Sequence, residues 1–505
     1  MLMPARVIER FLPDEAATAR LGQDLAAALR PGDVLALSGD LGAGKTTLAR
    51  SLIRSLAGDP ALEVPSPTFT LVQAYETRLP VRHFDLYRLS SGDELDELGL
   101  DEAIAEGAVL VEWPDKAEGR LPADSVSVEL VHEGEGRRAR FTGPERAIAR
   151  LGRALAARDF LEQAGWRDAA RAPLAGDASA RTYETVSLPG IPVRLLMNSP
   201  ELVLGPPVRD GKPYAEIAHT ARTVAAFVGI DRALHAAGVS VPEIYAQDLD
   251  QGFLLIEHLG SGSFLDKSGA PVAERYAAAA ELLAAVHQKN WPAQMDVAPG
   301  RSHTVPPFDR HAMLIEAELL VDWYVPYVSG SPADEELKQR FRQAWNTVLD
   351  RLNGTEKSLM LRDFHSPNII WRGERVGRDR LGVIDFQDAL IGPSAYDVAS
   401  LAMDARVTVP PQIEKSTVAA YVAARKEQGN FDEQAFAAAY AVMAAQRNSK
   451  ILGIFVRLDR RDGKPHYLRH LPRIRDYLSR ALVHPSLREI RELYEARGFL
   501  GEGDS

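Results

Sequence analysis
Apolar positions over roughly the first 112 residues switch between two periods. VLALSG (34–39) is a continuous apolar run, as a strand covered on both faces requires, and TTLARSLIRSLAG (46–58) has helical spacing. VRHFDLY (81–87) and AVLVEW (108–113) read as further strands. SVSVEL (125–130), a turn at EGEG (133–136) and RRARFTG (137–143) predict a closing β-hairpin. Strands interleaved with helices argue for a three-layer α/β domain with a mainly parallel sheet.

After a short charged helix the pattern changes. Residues 173–190 and 191–199 predict strands of a second, mixed sheet. From about 214 onward the chain is rich in Ala and Leu at helical spacing, with a β-like island at 359–388. The expected architecture is a three-layer α/β domain, residues 1–155, followed by an α+β two-lobed domain, residues 156–505. No Pro/Ser linker, repeat or low-complexity tract separates them.

Length agrees with this division, since 505 residues exceed one ordinary core. A net charge of −11 argues against a general nucleic-acid-binding surface, so any RNA contact is expected only indirectly, through a partner. The absence of cysteine removes disulfides, thiolate zinc sites and cysteine nucleophiles, and fits a reducing compartment. The first residues lack the apolar core of a signal peptide, and the most apolar helical stretch, 277–287, is short and broken by Glu281. A cytoplasmic protein without membrane association is expected.

Two sets of residues carry chemistry. Gly39-Asp-Leu-Gly42-Ala43-Gly44-Lys45-Thr46 satisfies G-x-x-x-x-G-K-[ST], between an apolar strand and a helix. Backbone N–H groups of Gly39, Gly42, Ala43, Gly44 and Thr47 are then expected around the phosphates of ATP, with Lys45 on the β- and γ-phosphates and Thr46 on Mg²⁺. Asp85, closing a strand, is the candidate second metal anchor, and Glu112, closing another, the candidate for positioning or activating water. An acid at a strand end is also read as a helix cap or a solvated charge.

In the second half, Asp363-Phe-His-Ser-Pro-Asn368 is followed by LGVID, ending at Asp385. Base, metal-binding amide and metal-binding carboxylate in that order are what kinase-type phosphoryl transfer needs. Asp363 is the candidate base, with Asn368 and Asp385 holding Mg²⁺. Asp397 is expected to brace the loop, and His365 either touches substrate or packs within it. The segment 176–181 reads as a phosphate-covering turn, with Ser179 and Arg181 as ATP contacts. The strand lysine usual in kinases is missing from Val193–Asn198, leaving Arg181 or Arg194 as substitutes. LLIEHLG (254–260) would meet adenine through backbone near Glu257 and Leu259. Glu318, Asp322, Trp323, Asp404, Arg406 and Asn448 are candidate acceptor contacts, each also readable as structural or solvated.

Two resemblances follow. GDLGAGKTT (39–47), SPTFTLV (66–72), HFDLYRL (83–89), ELDELGLDE (94–102) and VEWPDK (111–116) together resemble the TsaE family, the ATPase subunit of the bacterial machinery for tRNA threonylcarbamoyladenosine. That likeness implies ATP hydrolysis coupled to partner subunits of the threonylcarbamoylation complex, with Lys45, Thr46, Asp85 and Glu112 as working residues. It also implies that Ser66 and Thr68 lie in a nucleotide-sensing loop; Trp113 either stacks on nucleotide or partner or packs internally.

The stretch from about 157 to 495 is similar to the aminoglycoside-phosphotransferase-like superfamily. More narrowly it resembles the anomeric N-acetylmuramate/N-acetylglucosamine 1-kinases of cell-wall recycling, through 173–183, LRDFHSPNI (361–369), 382–407 and RNSKILGIFVRL (447–458). An amino-sugar acceptor phosphorylated with MgATP is implied. Choline, homoserine or an aminoglycoside as acceptor remains open, as does a non-catalytic, nucleotide-gated assembly role for one half.

Overall fold
The computed structural model describes residues 7–174 and 181–500. By packing, the chain forms two compact units, Met1–Ser199 with Tyr245–Glu257, and Pro200–Ile244 with His258–Ser505.

In the first unit, seven strands form one sheet: β1 (Ile8–Leu12), β2 (Val34–Ser38), β3 (Val72–Tyr75), β4 (Val81–Asp85), β5 (Ala108–Glu112), β6 (Val126–Glu133) and β7 (Gly136–Thr142), in the order β1-β7-β6-β2-β5-β4-β3. The centre, β6-β2-β5-β4, is parallel, and both edges are antiparallel. The sheet is therefore mixed around a parallel core. The tight β6–β7 turn and the short β3–β4 connection leave no room for the crossover that a parallel pair needs.

Alternation along the strands sends side chains to opposite faces. Leu35, Leu37 and Leu110 pack with α1 (Glu15–Ala28) and α2 (Lys45–Ala57) on one side, and Val34, Val109 and Val111 with Phe84 and Leu100 on the other. Helix α3 (Glu145–Gln163) then serves two cores. Its Ile148, Leu151 and Leu155 belong to the first, whereas Ala157, Phe160 and Leu161 cover the next sheet.

That sheet comprises β8 (Ala170–Leu174), β9 (Thr182–Ser187), β10 (Arg194–Asn198), β11 (Ile244–Asp248) and β12 (Phe253–Glu257), in the order β11-β12-β10-β9-β8. The pairs β12–β10, β10–β9 and β9–β8 are antiparallel rather than mixed. The six residues between Ser187 and Arg194 allow only a hairpin at β9–β10.

The second unit is mainly helical. Its helices include α4 (Ala225–Ala236), α5 (Ala273–His287), α6 (Arg310–Ala317), α7 (Ala395–Ala402), α8 (Pro411–Glu427) and α9 (Glu433–Asp462). The β-like island appears as two antiparallel ribbons: β13 (Lys357–Met360) with β16 (Leu390–Pro393), and β14 (Ile369–Trp371) with β15 (Leu381–Val383). Among the described residues, no helix is long and apolar enough to cross a membrane.

Two candidate nucleotide sites
Between β2 and α2 the loop turns on Gly39, Gly42 and Gly44, whose φ angles are 134°, 81° and 103°. L side chains rarely adopt these values. At Gly39 a Cβ would also stand 2.3 Å from the Leu130 carbonyl oxygen. Ala43 is fully buried under the turn. The turn opens on a cavity of about 420 Å³ whose walls include Gly42, Gly44, Lys45, Thr46 and Thr47, with Asp85, Glu112 and Trp113. Lys45 Nζ donates to the carbonyls of Gly39 (2.7 Å) and Asp40 (2.9 Å) and stands 3.7 Å from the centre of the Trp113 ring. Burial lowers the Lys45 pKa, against the pull of Glu112, Asp85 and Asp40. Trp113, half-buried, lies in contact with that cavity.

Strand register aligns the two acids. Asp85 and Glu112 are paired across β4 and β5, at the C-terminal edge of the parallel core. Asp85 Oδ2 accepts from Ser66 Oγ and Thr68 Oγ1, both at 2.6 Å, and Oδ1 from the Tyr87 N–H. Glu112 Oε2 accepts from Thr46 Oγ1 at 2.9 Å, while Oε1 meets His83 Nε2 at 3.0 Å. Thr46 spends its only hydroxyl proton on Glu112, so its lone pairs are left for a cation. The side-chain donors Thr46, Ser66, Thr68, Asp85 and Glu112 are all oxygens, which suits Mg²⁺.

In the second unit the loop after β13 is held from three sides. Asp397, fully buried on α7, accepts the N–H groups of Leu361 (2.6 Å) and Arg362 (2.8 Å) and is backed by His287. Asp404 accepts from the Ser366 N–H at 2.8 Å. The Arg362 guanidinium is paired with fully buried Glu316, which also takes Lys450 Nζ at 2.7 Å. Burial alone would raise the Glu316 pKa; Arg362 and Lys450 overcome it and bring it down to about 2.

The loop so held brings together Asp363, Asn368 and Asp385. Asn368 Nδ2 donates to the Asp363 carbonyl (2.9 Å) and to Asp385 Oδ2 (3.2 Å), leaving its amide oxygen for a metal. Asp385 has a φ of 60°, a strained value for a non-glycine residue that is typical of functional sites. Gln387 fixes its other oxygen at 2.9 Å. Burial works against the Asp363 carboxylate, yet Lys450, His365, Arg362 and Arg447 together hold its pKa below the usual value. The group is thereby kept as an acceptor. Amide oxygen and carboxylates again form an oxygen donor set suited to Mg²⁺.

Comparison with known proteins matches both parts of the chain. The profile described as "Threonylcarbamoyl adenosine biosynthesis protein TsaE" covers residues 12–140, and that described as "Phosphotransferase enzyme family" covers residues 170–439. A Caulobacter vibrioides protein, "N-acetylmuramate/N-acetylglucosamine kinase", is 32% identical over 346 residues, 66% of this chain and 94% of that protein. Its counterpart in Pseudomonas aeruginosa is 31% identical, over 65% of this chain and 90% of that protein. The "tRNA threonylcarbamoyladenosine biosynthesis protein TsaE" of Rickettsia felis is 39% identical over 128 residues, 25% of this chain and 74% of that protein. The chain belongs to both families. It is a TsaE-family ATPase joined to a phosphotransferase-family kinase, and both families use ATP with Mg²⁺.

Within the phosphotransferase part, Ser179 lies outside the described residues, and Arg181 directly precedes β9. Arg194 opens β10 with its guanidinium 3.7 Å from the Tyr245 ring centre. Glu257 closes β12, paired in register with Arg194, and Leu259 is buried just beyond it. Glu318 is buried and ion-paired with Arg209 and Arg342. Asp404 is fully buried, with Oδ1 accepting the N–H groups of Arg406 (2.7 Å) and Val407 (3.2 Å). Arg406 donates to Tyr467 Oη at 3.1 Å. Trp323 is half-buried on the short π-turn Leu320–Tyr324, and exposed Asp322 pairs with Lys338. The amide nitrogen of buried Asn448 donates to the Ala444 carbonyl at 2.9 Å. His365 is buried within the loop.

Sequence reasoning missed four participants: His83 behind Glu112, Arg137 on the first cavity, and the Glu316–Lys450 pair behind Asp363. His83 was visible within HFDLYRL, since alternate strand residues share a face and Asp85 is two positions on. Arg137 and Glu316 lie outside the chemical motifs, and Lys450, although within RNSKILGIFVRL, is brought to Asp363 by helix packing that nothing local marks.

Proposed function
We propose that the TsaE-like part, residues 1–155, hydrolyses ATP in support of tRNA threonylcarbamoylation, and that residues 156–505 phosphorylate the anomeric hydroxyl of N-acetylmuramate or N-acetylglucosamine. The observation that carries the kinase reading is the Asn368 amide joining Asp363 to Asp385, in a chain spanning nearly all of a relative named for those sugars. Asp363 accepts the hydrogen bond of the sugar hydroxyl and points its oxygen at the γ-phosphoryl group. Asn368 and Asp385 hold the metal in this site, as Thr46 and Asp85 do in the first. Mg²⁺ bound with the nucleotide neutralises charge on the phosphate oxygens.

In the first site Lys45 leaves the loop carbonyls for the phosphates. Glu112 fixes the Thr46 hydroxyl, and it is the carboxylate nearest to hand for ordering water. Asp404 and Glu318, with their oxygens engaged, serve the sugar indirectly by holding loops, whereas Arg406 and Trp323 stay as direct contacts. Partner subunits of the threonylcarbamoylation complex are the expected neighbours of the first site, in the cytoplasm. Leu41, within the P-loop, and Phe69, next after Thr68, are 80% and 81% exposed and support protein docking there.

Phosphorus NMR of the full chain with MgATP and a panel of sugars tests the kinase reading. An anomeric phosphate of either amino sugar is expected, with loss of about a thousandfold or more in rate for Asp363→Asn. Near-normal turnover in that variant, or product only from choline, homoserine or an aminoglycoside, would sink it. Lys45→Ala is expected to remove the sugar-independent ATP turnover, measured as released phosphate; an unchanged rate would place that turnover elsewhere.

A further inference from the structure
The cavity of the first site contains a cation that the P-loop motif does not include. Arg137 is the second residue of β7, which starts at the sheet edge where β6 ends and where β2, parallel to β6, feeds the P-loop. Its side chain lines the cavity with Gly44, Lys45 and Thr46. A Cβ on Gly44 would meet Arg137 Nε at 3.4 Å and Cδ at 3.6 Å, so the guanidinium neck rests against the N-cap of α2.

What Arg137 lacks is more telling. Its Nε is shut away from solvent with no hydrogen-bond partner. Among the described residues no side chain forms an ion pair with it, although Arg138 and Arg140 on the same strand pair with Glu133 and Glu9. The acids of the cavity do not supply one: Asp85 is taken by Ser66, Thr68 and the Tyr87 N–H, and Glu112 by Thr46 and His83. Glu15, on the same cavity wall, forms no ion pair with it either. A guanidinium at the positive end of a helix, beside the Lys45 ammonium and with a closed-off donor, is unfavourable three times over. An anion between them reverses each term.

We propose that Arg137 is a phosphate-contacting residue of the first site, acting from the same chain on the triphosphate of MgATP. The position is that of an arginine finger supplied in cis. Resting on the P-loop reading, the proposal adds a second cation, from the start of β7, to the loop's own lysine. The planar fork suits two phosphate oxygens at once, which a lysine at the same place would not reproduce.

The test uses the full chain carrying Asp385→Ala, so that metal-dependent nucleotide binding at the second site is suppressed. In that background Arg137→Met keeps the aliphatic packing and removes the charge. Affinity for MgATP by calorimetry is expected to fall about tenfold to a hundredfold, with Arg137→Lys recovering only part of it. The nucleotide-free melting temperature is expected to stay level or rise, because a repulsion has been removed. Affinity within about twofold of the parent overturns the proposal, since a charge-assisted contact should cost more. So does lost affinity accompanied by a lower nucleotide-free melting temperature, which would mark Arg137 as a brace of the fold. Lys45→Ala separates the underlying reading: if the parent shows no MgATP binding that this variant removes, the P-loop assignment fails and Arg137 falls with it.

Discussion

Asp231 shows how much a single side chain can weigh. It lies on α4, 4% exposed, and its Oδ2 has no hydrogen-bond partner. Burial pushes its pKa from 3.8 up to about 8, and neighbouring Arg232 opposes only in part. Between these values the folded protein holds a proton that the unfolded chain has released, so stability falls as pH rises through that window. Asp231→Asn should raise stability at pH 8 by about 2–5 kcal/mol and change it little at pH 4, measured by denaturant midpoints. A gain of equal size at both pH values would show that the carboxylate is not protonated in the fold. At this scale the sequence was readable wherever chemistry is written as a local motif. Lys45, Thr46, Asp363 and Asn368 belong to contiguous turns: the first two line the P-loop cavity, and Asn368 bonds the Asp363 carbonyl. His83 is readable from strand alternation beside Asp85, whereas Arg137 and Lys450 are placed by sheet topology and helix packing, which spacing along the chain does not encode.

At the scale of elements, one buried network joins pieces that sequence assigns to different functions. Asp24 on α1 is 2% exposed and accepts from Arg158 Nε on α3 (3.0 Å) and Arg171 Nη1 on β8 (2.6 Å). Arg171 in turn holds Glu184 on β9 with two bonds, at 2.7 and 2.9 Å. Asp24→Ala leaves two guanidinium groups short of their carboxylate in a dry interior, an expected cost of about 3–5 kcal/mol. Hydrogen exchange should quicken in β8 and β9 as well as in α1. A loss under about 1 kcal/mol, or exchange confined to α1, would mean that water or another acid replaces Asp24. The elements themselves were legible from periodicity: β2, β5 and the β6–β7 hairpin fall where the apolar pattern puts them. Strand direction was less so. The antiparallel edges of the first sheet and the antiparallel pairs of the second follow from connection length, and apolar patterning is blind to it.

For the whole molecule, composition and two motifs were enough to foresee two ATP-handling enzymes in one chain. They did not foresee how the chain packs. The first compact unit holds the entire P-loop domain together with the five-stranded sheet of the phosphotransferase region, and the chain leaves it after Ser199, returns at Tyr245 and leaves again after Glu257. Such packing depends on contacts remote in sequence, and no linker signal marks it because there is no linker.

Helix α3 gives this arrangement a historical consequence. Residues up to Leu155 are rooted in one core, and residues from Ala157 onward are rooted in the other. A gene broken at that point would yield two polypeptides, each with a frayed half-helix and a greasy stripe exposed to water. To stand apart, each half would need a new polar surface where the other part of the helix now leads into its neighbour's core. The fusion therefore works as a ratchet, tying the dosage, turnover and inheritance of two unrelated enzymes to nineteen residues of helix.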